Sequence, residues 1–390
     1  MMGVRAYLDW NATAPLRPQA RRAIEAALDL VGNPSSVHAD GRAARALVEG
    51  AREDVAALVG AQARNVIFTS GGTEANALAL SPSLTAGEAR GRGRALISAI
   101  EHPSVRSGGR FPRELREDVP VTREGIVDLG WLAERLAALN GSAPLVSVML
   151  ANNETGVIQP VAQVAELTHA AGGLLHVDAV QAVGRIPCDI KSLGADVLTL
   201  SAHKFGGPKG VGALVLADEA LHIGEPLIRG GGQERSSRAG TENVIGIAGF
   251  GAAAQAVLAS LADEATRMAG ARDRLEARLR DAAPSAVIFG VTAARVPNTT
   301  LVAMPGIKAE TALIALDLAG VSVSSGSACS SGKVAPSHVL AAMGVAPELA
   351  LGAVRISLGP STTEEEIEIF LNAWTKRVMG LSRKGQGLAA

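Results

Sequence analysis

"ADVLTLSAHKFGGPKG", residues 195–210, runs out of an apolar segment into a lysine and then into glycines. Residues 196–202 are short and rich in Val and Leu, the pattern of a strand buried on both faces. The segment delivers His203 and Lys204 at its end, and little side chain follows. A lysine at a strand end ordinarily carries its ammonium out to water. The alternative is a lysine kept at the mouth of the core for its amine chemistry. The rest of the chain has to decide.

Similar runs recur at 65–70 ("NVIFTS"), 95–100 ("ALISAI"), 145–150 ("LVSVML"), 174–178 ("LLHVD") and 212–217 ("GALVLA"). Helical patterns lie between several of them, as in "VAQVAELTHAAG" at 161–172. Buried strands alternating with helices predict an α/β fold, a mostly parallel sheet covered on both faces. Beyond "GTENVIGIAG" the pattern changes. Residues from about 247 to 281 read as one long helix that becomes charged. Then follow "TTLVAMP", a helix in "AETALIALDLAG", the loop "SVSSGSACSSGKVAPS", a strand in "AVRISLG" and a last helix from "TTEEEIEIFLNAW". These patterns predict a large domain over 15–255. Residues 1–14 with 256–390 should form a smaller α+β domain carrying a cysteine loop at about 322–336.

The chain's 390 residues are 47% hydrophobic and only 3% aromatic, so the core is aliphatic and there is enough of it for two domains. A net charge of -1 argues against a general nucleic-acid binder or an anionic-membrane binder, both of which need a basic footprint. The opening "MMGVRAYLDWNATAP" lacks the apolar run of a signal peptide, and no stretch reads as a membrane span. Two cysteines, Cys188 and Cys329, make neither a disulfide framework nor a metal cluster, and a reducing cytoplasm suits them.

Several motifs fall at the carboxyl ends of the expected strands, the edge where open α/β sheets bind ligands. "FTSGGTEANALAL" (68–80) is strand, glycine turn and helix. Backbone N–H groups near Gly72, with the Thr73 hydroxyl, make a phosphate cradle, although the same pattern also serves as a plain connector. Asp178 ends an apolar strand, where a carboxylate must find a cation or several donors; it is either a structural cap or a partner for a protonated ring nitrogen. Gln181 follows three residues later. "LANNETG" (150–156) brings Asn153 and "AIEHPSV" (99–105) brings His102 to the same edge. A phosphate cradle, a buried carboxylate, a flat imidazole and a lysine together match pyridoxal 5'-phosphate, whose protein side is a Schiff-base lysine and an acidic partner for the ring nitrogen.

In order and spacing these segments resemble the cysteine desulfurases of the NifS/IscS type, a class V aminotransferase-like branch of fold-type I pyridoxal-phosphate enzymes. The resemblance spans "YLDWNATAP", "GNPSSVH", "TSGGTEAN", "EHPSV", "NNETG", "HVDAVQ", "SAHK", "GGGQERSSRAGTEN", "SSGSACSSG" and "VRISLG". It implies a seven-stranded-type sheet in the large domain and a homodimer. Lys204 would carry the cofactor, Asp178 would pair with its ring nitrogen, and His102 would stack on the ring and relay protons as a catalytic residue. Gln181 would reach the ring hydroxyl, while Thr73, Ser201 and His203 would bind the phosphate together with Thr241 of a second copy. Asn153 would hold both cofactor and substrate, and Asn33 and Arg355 the substrate, Arg355 by a bidentate grip on its carboxylate. Cys329, in a Ser/Gly-rich loop of the group I kind, would attack the sulfur of L-cysteine and carry it as a persulfide to an acceptor or iron–sulfur scaffold protein. A selenocysteine lyase or another class V aminotransferase is the nearest alternative. A non-catalytic scaffold and a cofactor-free Schiff-base aldolase are the others.

Overall fold

The computed structural model describes residues 5–87, 92–106, 109–139, 143–326 and 336–380. Its centre is a seven-stranded sheet. In spatial order the strands are Val66–Thr69, Gly212–Leu216, Val197–Ser201, Leu174–Asp178, Leu145–Met149, Ala95–Ser98 and Arg116–Val119. All run one way except Gly212–Leu216, which is antiparallel to both of its neighbours. Six of these strands follow the apolar runs of the sequence. The seventh, Arg116–Val119, reads "REDV" and gives no apolar signal, because it closes an edge of the sheet against Ala95–Ser98.

Side chains alternate across the sheet with the period of two that strand geometry imposes. Phe68, Leu96, Val146, Val148, Val177 and Leu198 face one core, with Val55 and Phe250 from the covering helices. Ile67, Ile97, Leu145, Leu174, Val197 and Leu214 face the other, with Leu78. Burial on both faces is why the strands read as continuous apolar runs.

A helix over Val244–Ala282 spans 39 residues. By length and composition alone it is long and apolar enough to cross a membrane, as the core helix of a globular protein also can be; half of its most apolar stretch is buried inside the protein. Ile247, Phe250 and Val257 pack on the large sheet. Leu275 and Leu279 pack in a separate core with Val302, Val354, Ile356, Phe370 and Trp374, joined by Ala6 and Leu8 from the N-terminal segment. That second core lies on a four-stranded antiparallel sheet in the order Val287–Ile288, Thr299–Ala303, Ala353–Ser357, Ser324–Ser325.

The segment before the long helix is locally strained. Glu234, Arg235 and Ser236 adopt φ of 45°, 54° and 65° in succession, a region that costs non-glycine residues free energy. A buried ion pair offsets the strain. Arg52 donates to both oxygens of Glu234, at 2.6 and 2.9 Å, and the Phe68 N–H donates to the same carboxylate. Glu234→Ala should therefore destabilise the protein by about 3–5 kcal/mol, because it strips the buried Arg52 guanidinium of its buried bidentate partner and leaves it only the longer contact to half-exposed Glu49 and the Val66 carbonyl. Denaturant unfolding measures this, and a change below about 1 kcal/mol would show that the pair does not anchor the segment.

Candidate active site

The carboxyl ends of the parallel strands open onto a cavity of about 200 Å³. Gly72, Thr73, His102, Asn153, Asp178, Gln181, Ser201, His203 and Lys204 line it, joined by Asn76, Ser104, Met149, Ala151 and Val180. The large-sheet segments singled out in the sequence thus meet at one place. Asn33 and Thr241 do not: both are exposed and neither lines the cavity. Cys329 lies outside the described residues.

Lys204 follows the strand Val197–Ser201 in a single tight turn, Ala202–Lys204. Its Nζ donates to the carbonyls of Asn11 at 2.8 Å and Ala12 at 2.9 Å. The glycines that follow have a local reason. Gly206 has φ of 93°, and a Cβ there would run into the Arg17 side chain. His203 receives or gives a hydrogen bond at Thr13 Oγ1, 3.2 Å from its Nδ1. Burial, with Lys204 and Lys209 nearby, pushes its pKa down to about 4, so it stays neutral at pH 7.

Asp178 is 5% exposed. Its Oδ1 accepts from the Val180 N–H at 2.9 Å and its Oδ2 from Asn76 Nδ2 at 2.8 Å. The Asn76 Nδ2 also donates to Ser104 Oγ at 3.0 Å, and Ser104 Oγ lies 2.7 Å from His102 Nδ1. Asn76 belongs to the "TSGGTEAN" motif but was not singled out. The helix Gly72–Ala79 has no side-chain cap, which leaves the N–H groups of its first turn facing the cavity mouth. A Cβ at residue 72 would meet the Val180 and Ser201 side chains at 3.0 and 3.3 Å, so a larger residue there would have to push them back by a few tenths of an ångström.

Two buried polar atoms at the site have no hydrogen-bond partner among the described residues. One is Gln181 Oε1, whose amide nitrogen is taken up by the Asn11 carbonyl at 2.9 Å. The other is Nε of Arg355, whose remaining nitrogens reach the Asn153 carbonyl at 3.0 Å and Asp9 Oδ1 at 2.9 Å. Arg355 comes from the small sheet, 5% exposed, and meets Asn153 from the large one. Unsatisfied acceptors and donors at this depth are costly unless a ligand completes them. A ring hydroxyl at Gln181, a phosphate at the helix start and a ring nitrogen at Asp178 fit the donors and acceptors present. Among the described residues no group of His, Cys, Asp and Glu is placed to hold a metal ion.

A further cavity of about 250 Å³ lies on the other side of Lys204, against Trp10, Arg185 and Glu264. Its Glu264 is held by both terminal nitrogens of Arg17, at 2.9 and 2.6 Å, so the distinctive chemistry stays on the Asp178 side. Cys188 is buried beside the Ile186 carbonyl, and burial pushes its thiol up to about 12, which makes it inert.

Two buried carboxyls escaped the sequence reading. Glu101, next to His102, is fully buried; its Oε1 accepts from the Met149 N–H and burial raises its pKa well above the usual value. Glu154 follows Asn153 and accepts a hydrogen bond from Ser337 Oγ. No periodicity marks a single acid inside a turn motif, so nothing in the pattern could have revealed them.

The chain is similar to known proteins over nearly its whole length. Residues 6–370 match the family model described as aminotransferase class-V. A cysteine desulfurase IscS of Dictyoglomus turgidum is 41% identical over 94% of this chain and 92% of its own. A cysteine desulfurase of Cereibacter sphaeroides is 45% identical over 94% of both chains. The crystal structure of a NifS-like protein from Rickettsia africae superposes with a TM-score of 0.85 at 38% identity, covering 95% of this chain and 98% of that one.

Burial pushes the Glu154 pKa up from 4.5 to about 7, against the opposing effects of Ser337 and Arg355. Between those pH values the native protein keeps a proton that the unfolded chain releases, so this group's contribution to stability is lost as pH rises toward 7. Glu154→Gln should remove that loss. Relative to wild type, the variant should gain up to about 3 kcal/mol between pH 5 and pH 8. Unfolding at both pH values tests this; an equal offset at the two would contradict it.

Proposed function

The chain belongs to the class-V aminotransferase family, and from that premise we propose a residue-level account of its reaction. It is a cysteine desulfurase, as its relatives at 41% and 45% identity are. Enzymes of this family use pyridoxal phosphate in general, and the lining of the cavity fits that group. When bound, it supplies a carbonyl that condenses with amines and a ring that withdraws electrons from the attached carbon.

The chain's own residues supply the rest. Lys204 would supply the amine that holds the cofactor. Asp178 would keep the ring nitrogen in its charged form, and His102 would stand beside the ring. Thr73, Ser201, His203 and the first turn after Gly71 hold the phosphate through neutral donors and N–H groups. Thr241, exposed on its loop, serves the phosphate of a second copy in a homodimer. Arg355 takes the substrate carboxylate in its fork, with Asn153 beside it. Cys329 takes the substrate's sulfur. L-cysteine and the Cys329 thiol then give L-alanine and a Cys329 persulfide, with no outside oxidant needed. A sulfur-acceptor or iron–sulfur scaffold protein removes that sulfur, and a reducing cytoplasm keeps both cysteines as thiols.

The observation that carries this account is the meeting of Lys204, Asp178 and His102 on one cavity at the carboxyl edge of the sheet. Lys204→Ala should lose the yellow colour that borohydride fixes to the protein, together with all turnover. Cys329→Ser should keep the colour and its spectral response to L-cysteine, yet release sulfide at less than about a hundredth of the wild-type rate, consistent with the loss of a covalent nucleophile. Mass spectrometry after one turnover should find the added sulfur on Cys329. Added sulfur on Cys188, or full sulfide release by Cys329→Ser, would overturn the assignment.

A further inference from the structure

A chain of buried hydrogen bonds ends at His102, and the donors and acceptors along it permit one direction only. It begins at Asp178. A carboxylate accepts, so the Asn76 atom facing Oδ2 at 2.8 Å must be the amide nitrogen. That fixes the amide. Its second N–H goes to Ser104 Oγ at 3.0 Å, and its carbonyl Oδ1 faces Thr199 Oγ1 at 2.6 Å. The Thr199 hydroxyl therefore donates to Asn76, and its oxygen accepts from His176 Nε2 at 3.1 Å. His176 Nδ1 then accepts from the Ser147 hydroxyl at 2.8 Å. Burial pushes the His176 pKa down to about 4, in keeping with a neutral ring that donates at one nitrogen and accepts at the other.

On the other side, Ser104 Oγ accepts a hydrogen bond from Asn76 and lies 2.7 Å from His102 Nδ1, to which its own hydroxyl can donate. The Ser104 backbone N–H also points at Nδ1, at 3.2 Å. Two donors thus meet one ring nitrogen. A backbone N–H cannot turn away, so a proton on Nδ1 would face another N–H.

We infer that Asn76 and Ser104 are positioning residues that tie Asp178 to His102 and hold the His102 ring neutral, with its single proton on Nε2. Each acts through another side chain and neither is assigned to the chemistry. In this state His102 can give a hydrogen bond at Nε2 but cannot take a proton there. The groups acting on its charge agree in sum. Burial is the largest influence and lowers its pKa; Asp178 opposes it, and Lys204 and His338 add to it.

The inference deepens the proposed function, since it rests on Asp178 and His102 belonging to the cofactor site. Its test is independent of turnover. The full chain labelled with 15N-histidine, with and without bound pyridoxal phosphate, reports the ring nitrogens by NMR, and His102→Gln assigns the signals. The expected wild-type pattern is a neutral Nε2–H ring from pH 6 to pH 9. Ser104→Ala removes the hydroxyl but keeps the backbone N–H at Nδ1, so it should shift the His102 titration midpoint upward and bring in signal from the doubly protonated ring. Ser104→Thr, which keeps the hydroxyl, should restore the wild-type pattern. A wild-type His102 that is mainly Nδ1–H or doubly protonated in this range would overturn the inference, even if no variant folds. So would a Ser104→Ala spectrum identical to wild type. Loss of sulfide release with an unchanged His102 titration would count against the bridge and leave the cysteine desulfurase assignment standing.

Discussion

Burying one carboxylate organises this structure. Asp178 ends a fully buried strand and lies at the carboxyl edge of a sheet packed on both faces. A charge there is tolerated only with donors arranged around it. The turn after the strand offers the Val180 N–H, and the first helix offers Asn76. To hold Asn76 in place, Thr199 on the next strand must present a hydroxyl, and His176 must hold Thr199. Four segments are thereby fixed relative to one carboxylate, and the cavity in front of it inherits that rigidity. In the proposed account the cavity side of the carboxylate receives a cationic ring nitrogen.

The second constraint is the seam between the two sheets. A few residues of the N-terminal segment cross it. Asp9 holds Arg355 of the small sheet. The Asn11 carbonyl receives both Lys204 Nζ and Gln181 Nε2 from the large-sheet side, while its side chain reaches Thr299 of the small sheet at 2.9 Å. Thr13 meets His203. In the proposed account Arg355 and Lys204 act on opposite ends of one small amino acid, which requires their separation to be exact to a fraction of an ångström. A short strap bonded to both sides achieves this more directly than packing of two separate cores. Glu154 adds a contact from the turn after Asn153 to Ser337, just beyond the cysteine-bearing segment.

Much of this was legible in the sequence because burial on both faces imposes a simple signal. Apolar runs gave six of the seven strands and therefore the edge where the motifs had to meet. Lys204, Asp178, His102 and their neighbours stood at the ends of those runs, and the order of the motifs carried the family. What stayed hidden was set by pairing between segments far apart in the chain. The polar edge strand Arg116–Val119 forms because a neighbour offers hydrogen bonds, which composition does not record. The role of the N-terminal strap depends on carbonyls at Asn11 and Ala12, and backbone atoms are the same in every sequence. The direction of the bonds from Asp178 to His102 follows from which atoms touch. One residue type can donate or accept, and only the tertiary structure, by placing a carboxylate at one end and a fixed N–H at the other, decides which it does.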